Sequence, residues 1–135
     1  MNKHIAILIA AASFAAAAPA MAEVVVVVSS KAAESSMTKE QVAQFFLGKS
    51  SSMTPIDQAD SSAIRAEFYK KVADKDAAQA KALWSKLVFT GKATMPKEVA
   101  DSAAVKAAVA ANPKAIGYID KGAVDGSVKV VYTAQ

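Results

Sequence analysis

Five consecutive valines at residues 24–28 constrain the fold more than any other feature of this chain. Valine is stiff at χ1 and is enriched in strands. An unbroken apolar run, unlike an alternating one, is typical of a strand that is buried on both faces. Such strands occur inside parallel sheets that helices cover. The valine run therefore predicts a strand in a layered α/β protein.

Capping signals predict where the helices begin. Residues 38–41 (Thr-Lys-Glu-Gln) and 76–79 (Asp-Ala-Ala-Gln) each fit a capping box. Ser102 is interpreted as the N-cap of an Ala-rich helix, and Pro96 as the first residue of a short helical turn. With the helix that follows Ser62, these signals predict four helices and one turn.

Apolar spacing indicates which face of each helix is buried. After Ser62, apolar residues recur at every fourth position, which puts the charged Arg65 on the opposite, solvent-facing side. In the next helix, Trp84 and Phe89 share the apolar face with two leucines. We interpret both aromatic residues as core residues rather than as the lining of a ligand pocket.

Three further extended segments complete the pattern. They lie around Pro55, at residues 116–118 and at residues 128–132, and the glycine-containing segment 120–126 predicts a hairpin connection before the last strand. Gly117 is expected where a side chain would not fit. Strands that alternate with helices indicate an α/β fold, with a small mainly parallel or mixed sheet flanked by helices.

The amino terminus has the composition of a secretory signal peptide. A short positive segment precedes an uncharged apolar run at residues 5–18, and an A-x-A cleavage site follows at residues 20–22. Residues 1–22 are therefore predicted to be removed, which leaves residues 23–135 as one domain. The protein is expected in the periplasm or the external medium, without stable membrane insertion.

Two missing residue types exclude several function classes. The chain has no cysteine, and its one histidine, His4, belongs to the predicted signal peptide. Thiol- or imidazole-based nucleophilic catalysis and the usual zinc sites are thereby excluded. The net charge of +4 is spread along the sequence without a basic block, so nucleic-acid binding is not expected. We expect no catalytic activity, no metal and no cofactor.

The residues Asp60-Ser61-Ser62, just before a predicted helix, form the candidate site. Aspartate and serine are preferred N-caps, and capping alone would explain them. A helix start also exposes unpaired N–H groups that can bind an anion, and Arg65 could add a charge-assisted contact. On these residues alone, both interpretations stay open.

Several ordered motifs resemble those of the substrate-binding proteins of phosphate ABC transporters. Residues 37–42 (MTKEQV), 46–49 (FLGK) and 116–118 (IGY) match motifs of that family, and the likeness covers nearly all of residues 23–135. The resemblance is strongest to short, single-domain members. It implies a fold similar to one lobe of a type II periplasmic binding protein.

The same resemblance suggests which residues bind the ligand. It places Asp60 and Ser62 on the Asp and Ser of the family's anion loop, whereas Gln58 stands in place of the phosphate-coordinating Arg. Ala63 and Ile64 replace the loop's Gly-Thr. The candidate ligand-binding residues are Gln58, Asp60, Ser61, Ser62 and Arg65.

Two functional hypotheses follow from the sequence. The first is a secreted or periplasmic solute-binding-like protein that binds phosphate or a similar oxyanion weakly at the helix start. Its partners would be an ABC transporter membrane component or a second chain that completes the site. The alternative is a ligand-free interaction or structural module of the cell envelope that has kept the fold.

Overall fold

The computed structural model describes residues 23–134, so the predicted signal peptide at residues 1–22 lies outside the described part. None of the helices in the described part is long and apolar enough to cross a membrane. The elements are β1 (Val24–Ser29), α1 (Lys39–Phe46), β2 (Thr54–Gln58), α2 (Ala63–Ala73), α3 (Ala77–Phe89), β3 (Lys97–Val99), α4 (Ser102–Ala110), β4 (Ala115–Asp120) and β5 (Val128–Thr133), with a short 3₁₀ helix at Lys121–Ala123.

The strands form one mixed sheet in the order β3-β2-β4-β1-β5. β2 runs parallel to β3 and β4, whereas β1 is antiparallel to both β4 and β5. The prediction of a small mixed sheet flanked by helices is confirmed. The valine strand is buried on both faces, as predicted, but its neighbours are antiparallel. A valine run reports burial and carries no information about strand direction.

Two hydrophobic clusters cover the two faces of the sheet. Val24, Val26 and Val28 pack on one face with aromatic residues of α1 and α2, and Val25 and Val27 pack on the other face with α4. Alternate residues of a strand point to opposite faces, so one valine run contributes to both clusters.

Gly117 lies at the contact between β4 and α4. A Cβ atom there would lie 2.5 Å from Cγ1 of Val105 and 3.1 Å from Cγ2 of Val109. The prediction that this position has no room for a side chain is confirmed.

The helix starts follow the capping signals closely. Thr38 and Asp76 are N-caps, and each forms a complete capping box with the glutamine three residues later. The N-cap of α4 is Asp101 rather than Ser102, because the Asp101 carboxylate accepts the Ala104 amide at 3.0 Å.

Two predicted connections differ from the structure. The segment after Pro96 forms strand β3 instead of a helical turn, because it pairs in parallel with β2 from Ile56 to Gln58. The segment 120–126 does not close a hairpin, because β1 lies between β4 and β5. In both cases a long-range strand pairing overrides the local turn signal.

Helix α3 is less buried than its pattern suggests. Trp84 is 3% exposed, and its Nε1 donates to the Phe46 carbonyl at 2.8 Å, so its prediction as a core residue is confirmed. Phe89 is 91% exposed, and the prediction that it belongs to the core is wrong. Phe89 is the last residue of α3, beyond the part of the helix that contacts α1 and α2.

Candidate functional site

A crevice lies at the carboxyl end of β2, where the strands that follow along the chain are placed on opposite sides of β2. From β2 the chain passes through α2 and α3 to β3 on one side, and α4 then returns it to β4 on the other side of β2. Ligands of open α/β sheets bind beyond the carboxyl ends of the strands at such a switch point. Here the residues that line an open crevice of about 590 Å³ are Gln58, Ser62, Ile64, Asp101, Ser102, Ala103, Asp120, Gly122 and Ala123.

Gln58, the last residue of β2, connects the two helices that begin at this crevice. Its Oε1 accepts from the Ser62 hydroxyl at 2.7 Å. Its Nε2 donates to the Tyr118 carbonyl at 2.9 Å and to the Ser102 Oγ at 3.3 Å. The side chain is 1% exposed and its amide group is fully used. Gln58 therefore holds the starts of α2 and α4 against β4.

Ser102, the first residue of α4, is a second polar group in the crevice. Its Oγ accepts from the Gln58 amide and from the backbone N–H of Asp120 at 3.1 Å. A serine hydroxyl can accept two bonds and donate one. Because both bonds in the described part are accepted, the Ser102 proton remains free to donate into the crevice.

The start of α2 presents backbone N–H groups that the protein leaves unpaired. Ser62 is the N-cap, and its Oγ accepts the Arg65 amide at 3.4 Å, while its own amide donates to the Ala59 carbonyl at 2.9 Å. Within residues 23–134, no protein acceptor lies in hydrogen-bond range of the amides of Ser61, Ala63 and Ile64. The amides of Ala63 and Ile64 are orphan groups of the kind expected in the first helical turn, and Ser61 comes just before the N-cap.

Arg65 is buried beside β2, and the expectation that it faces solvent is wrong. Its side chain is 3% exposed. Nη1 donates to the Gln58 carbonyl at 2.7 Å and forms ion pairs with Asp60 at 3.2 Å and with Glu98. Nε lies 4.0 Å from Oδ1 of Asp57. Three carboxylates therefore compensate the guanidinium charge, which draws the residue towards β2 and β3.

Asp57, in the middle of this network, is a buried carboxylate with several donors. Tyr69 donates to its Oδ2 at 2.6 Å, Tyr118 donates to its Oδ1, and the Gln58 amide donates to Oδ1 at 2.9 Å. Burial raises the pKa of Asp57, and these hydrogen bonds and Arg65 partly oppose the increase. Burial, together with the neighbouring Asp57, also raises the pKa of both tyrosines. These hydrogen bonds hold in place the side chains that lie beneath the crevice.

Asp60 is oriented towards α3 instead of the crevice. Its Oδ2 accepts from Nζ of Lys81 at 3.1 Å, and its Oδ1 pairs with Arg65. The hydrogen bond from Lys81 and the charge of Arg65 hold the pKa of Asp60 below its ordinary value. An anion in the crevice would meet this carboxylate only after the carboxylate turned away from Lys81.

Of the five residues proposed from the sequence, Gln58 and Ser62 line the crevice. Asp60, Ser61 and Arg65 do not line it, although Asp60 and Arg65 pair directly behind it. Sequence reasoning missed Ser102, Asp101 and Asp120, which line the opposite side. Each comes next to the start or end of an element, but only the strand order brings them to β2.

No protein-family model matches this chain, and no curated protein matches it. Solved structures do match. A protein from Clostridium perfringens, proposed to be a phosphate ABC transporter substrate-binding protein and solved with bound phosphate, superposes with a TM-score of 0.65 at 21% identity. The match covers 81% of this chain and 44% of that one.

Two further structures give the same result. An ABC-type phosphate transport receptor from Vibrio cholerae matches with a TM-score of 0.63 at 19% identity, over 81% of this chain and 45% of that one. PstS from Borrelia burgdorferi matches with a TM-score of 0.61 at 14% identity, over 81% and 46%. The chain thus spans less than half the length of these binding proteins. It has the fold of one periplasmic binding protein lobe.

Proposed function

We propose that this protein binds phosphate or a similar oxyanion weakly in the crevice at the start of α2. The observation that carries the proposal is the set of unpaired amides of Ala63 and Ile64, next to the Ser62 hydroxyl at the switch point. Helix starts bind anions through such amides and through the helix dipole. The phosphate-binding proteins that share this fold support the choice of ligand.

Both sides of the crevice would contribute donors. On the α2 side, the amides and the Ser62 hydroxyl would donate to the anion, with the hydroxyl leaving Gln58. On the α4 side, the free proton of Ser102 would donate as well. Arg65 would act indirectly, because its bond to the Gln58 carbonyl holds the end of β2 in place.

The charges around the crevice predict low affinity and a preference for protonated anions. Asp101 and Asp120 line the crevice, and the nearest arginine is already paired with carboxylates. A carboxylate, including Asp60 if it turned inwards, can accept a proton from hydrogenphosphate but repels sulfate, which has no proton to share. Phosphate should therefore bind better than sulfate.

The chain corresponds to one lobe of its structural neighbours and covers less than half of their length. An anion held on one side stays largely solvated. A second chain or an ABC transporter membrane component would therefore complete the site. In this proposal residues 1–22 direct the protein to the periplasm or beyond the cell.

The second candidate is an interaction or structural module of the cell envelope that binds no ligand. Two observations favour it: the compensated charge of Arg65 and the exposed Phe89 on the surface of α3. Both are consistent with a protein that has kept the fold but binds other macromolecules through its surface.

Titration calorimetry of residues 23–135 with phosphate and with sulfate separates the two candidates. The range contains the whole sheet and both hydrophobic clusters. We expect millimolar phosphate binding that weakens at least about fivefold in Ser62→Ala and in Ser102→Ala, each of which removes a donor. Ser85→Ala, an exposed serine on α3, is the matched control. Absence of phosphate binding in the unmodified protein would leave the envelope module as the better account.

A further inference from the structure

The two ends of the parallel part of the sheet carry opposite charge. β2, β3 and β4 all point towards the crevice, where their carboxyl ends meet acidic residues such as Glu98 and Asp120. Towards the other end, residues 41–56, which lead into β2, and residues 82–97, which lead into β3, contain no aspartate or glutamate. The exposed lysines at or next to that end are Lys49, Lys86, Lys92, Lys97 and Lys114.

A hollow of about 460 Å³ lies at this second end, beside the starts of β2 and β3. Apolar side chains, including Phe45, Met53 and Trp84, line it. Lys49 and Lys92 also line it, together with Lys97, and no carboxylate does so in the described part of the chain. Serines and threonines complete the lining, and among the described residues Glu34 is the one carboxylate of an adjoining hollow that shares Phe45 and Met53. A surface that combines apolar side chains with an excess of lysines is complementary to an anionic partner that also has an apolar part.

Three exposed apolar side chains lie at the end of α3 and in the segment before β3, and of these Met95 lines the hollow. Phe89 is 91% exposed, Met95 is 43% exposed and Val88 is 40% exposed. Lys86, three residues before Phe89, lies on the same side of α3. We define the basic end as Lys49, Lys86, Lys92 and Lys97 together with Val88, Phe89 and Met95.

We propose that the basic end binds peripherally to the surface of an anionic phospholipid bilayer. Phe89 and Met95 enter the boundary between head groups and acyl chains, and the lysines lie at the level of the lipid phosphates. Lysine and exposed aromatic residues on one surface are the usual elements of interfacial binding. Each lysine near an anionic membrane adds an increment of attraction that screening by salt reduces.

The side-chain types favour a lipid surface over an acidic protein. The chain has one arginine, Arg65, which is buried near the crevice, so the basic end holds only lysines. Arginine provides the planar, bidentate contacts of protein interfaces, whereas lysine is a mobile point charge on a flexible apolar stem. Phe89 does not line the hollow, and a fluid interface needs no preformed socket for it.

Binding in this orientation has a consequence for the crevice. The carboxyl ends of β2 and β4 lie at the opposite end of these strands from the hollow. A protein bound through the basic end therefore presents the crevice away from that bilayer, where a second chain, rather than a membrane component of the same bilayer, can complete the site.

Co-sedimentation of residues 23–135 with vesicles tests this proposal. We expect binding to phosphatidylglycerol–phosphatidylcholine vesicles and none to pure phosphatidylcholine. Lys49→Glu/Lys92→Glu should weaken binding at least about tenfold, and Phe89→Ser should weaken it at least about fivefold. Lys70→Glu/Lys121→Glu changes the net charge equally at exposed lysines outside the basic end and should change binding less than twofold. Val130→Thr is the control for Phe89→Ser.

Three outcomes would overturn the proposal. The first is no difference between anionic and neutral vesicles. The second is an equal loss of binding in the two lysine double variants, which would indicate attraction by net charge alone. The third is binding to soluble polyglutamate that matches the vesicle affinity and does not change in Phe89→Ser; that result would assign the basic end to an acidic protein.

Discussion

The hydroxyl of Ser62 donates to Oε1 of Gln58 at 2.7 Å, and this bond joins the N-cap of α2 to the last residue of β2. Because the Gln58 Nε2 also reaches Ser102 and the Tyr118 carbonyl, one buried amide aligns two helix starts. The resemblance described above places Gln58 where the family's anion loop has an arginine. In this chain the glutamine side chain makes only neutral hydrogen bonds within the described part of the protein.

Replacing Gln58 with leucine should destabilise the fold. The variant leaves the Tyr118 carbonyl and the hydroxyls of Ser62 and Ser102 without this partner in a largely buried place. We expect the free energy of unfolding to fall by about 1–3 kcal/mol, measured by urea denaturation. Gln44→Leu, at an exposed glutamine of α1, should change it by less than about 0.5 kcal/mol. Equal stability of the two variants would contradict the structural role of Gln58.

Replacing Tyr69 with phenylalanine should also lower stability. The variant removes the 2.6 Å hydrogen bond to the buried carboxylate of Asp57 without changing the packing of the ring. Hydrogen bonds to charged groups contribute about 1.5–3 kcal/mol, so we expect a loss of that size in urea denaturation. Tyr132→Phe, at a half-buried tyrosine on β5, is the matched control and should stay close to the unmodified protein.

The pH dependence of stability should distinguish Asp57 from Asp60. Burial raises the pKa of Asp57 in the folded state, so the folded protein binds more protons than the unfolded one. Its contribution to stability therefore falls as pH rises above the ordinary value of 3.8. Lys81 and Arg65 lower the pKa of Asp60 in the folded state. The contribution of Asp60 to stability is therefore lost as pH falls through the range below 3.8.

Urea denaturation between about pH 2 and pH 6, which extends about two units to either side of an ordinary aspartate pKa, measures both effects by difference. The unfolding free energy of the unmodified protein minus that of Asp57→Asn should decrease with rising pH. The corresponding difference for Asp60→Asn should increase. Differences that vary with pH in the same direction would contradict the assignment of a desolvated Asp57.

Gly117→Ala should disturb the contact between β4 and α4. The new Cβ would lie 2.5 Å from Cγ1 of Val105, which forces a shift in a packed cluster. Overpacking of this kind costs about 1–3 kcal/mol, which thermal or urea unfolding would detect. Gly126→Ala is the control because its new Cβ would meet no atom within 4 Å, and it should be close to neutral. A neutral Gly117→Ala would show that α4 can move away from the sheet.

The sequence was sufficient to predict most of the local structure. The valine run, the two capping boxes and Gly117 each depend on interactions between near neighbours or on simple burial, and each was predicted correctly. Strand order and direction depend on pairings between distant segments. For that reason the local pattern after Pro96 predicts a helical turn where the structure has β3, and the pattern between β4 and β5 predicts a hairpin that the strand order does not contain.

The candidate site was only partly predictable for the same reason. Ser62 was found because an N-cap has a local signature, and Gln58 because the resemblance drew attention to it. Ser102 carries the same local signature as any other serine near a helix start. Its position opposite Ser62 depends on β4 lying beside β2, and the burial of Arg65 depends on Glu98 in β3.

Amide chemical shifts of ¹⁵N-labelled residues 23–135, followed during a phosphate titration, test the central claim most directly. We predict saturable shifts at millimolar phosphate for the amides of Ala63 and Ile64, with smaller shifts at Ser102, because these groups provide the free donors. Unchanged shifts at Ala63 and Ile64, or shifts confined to the lysines of the basic end, would contradict the claim that the start of α2 binds an anion.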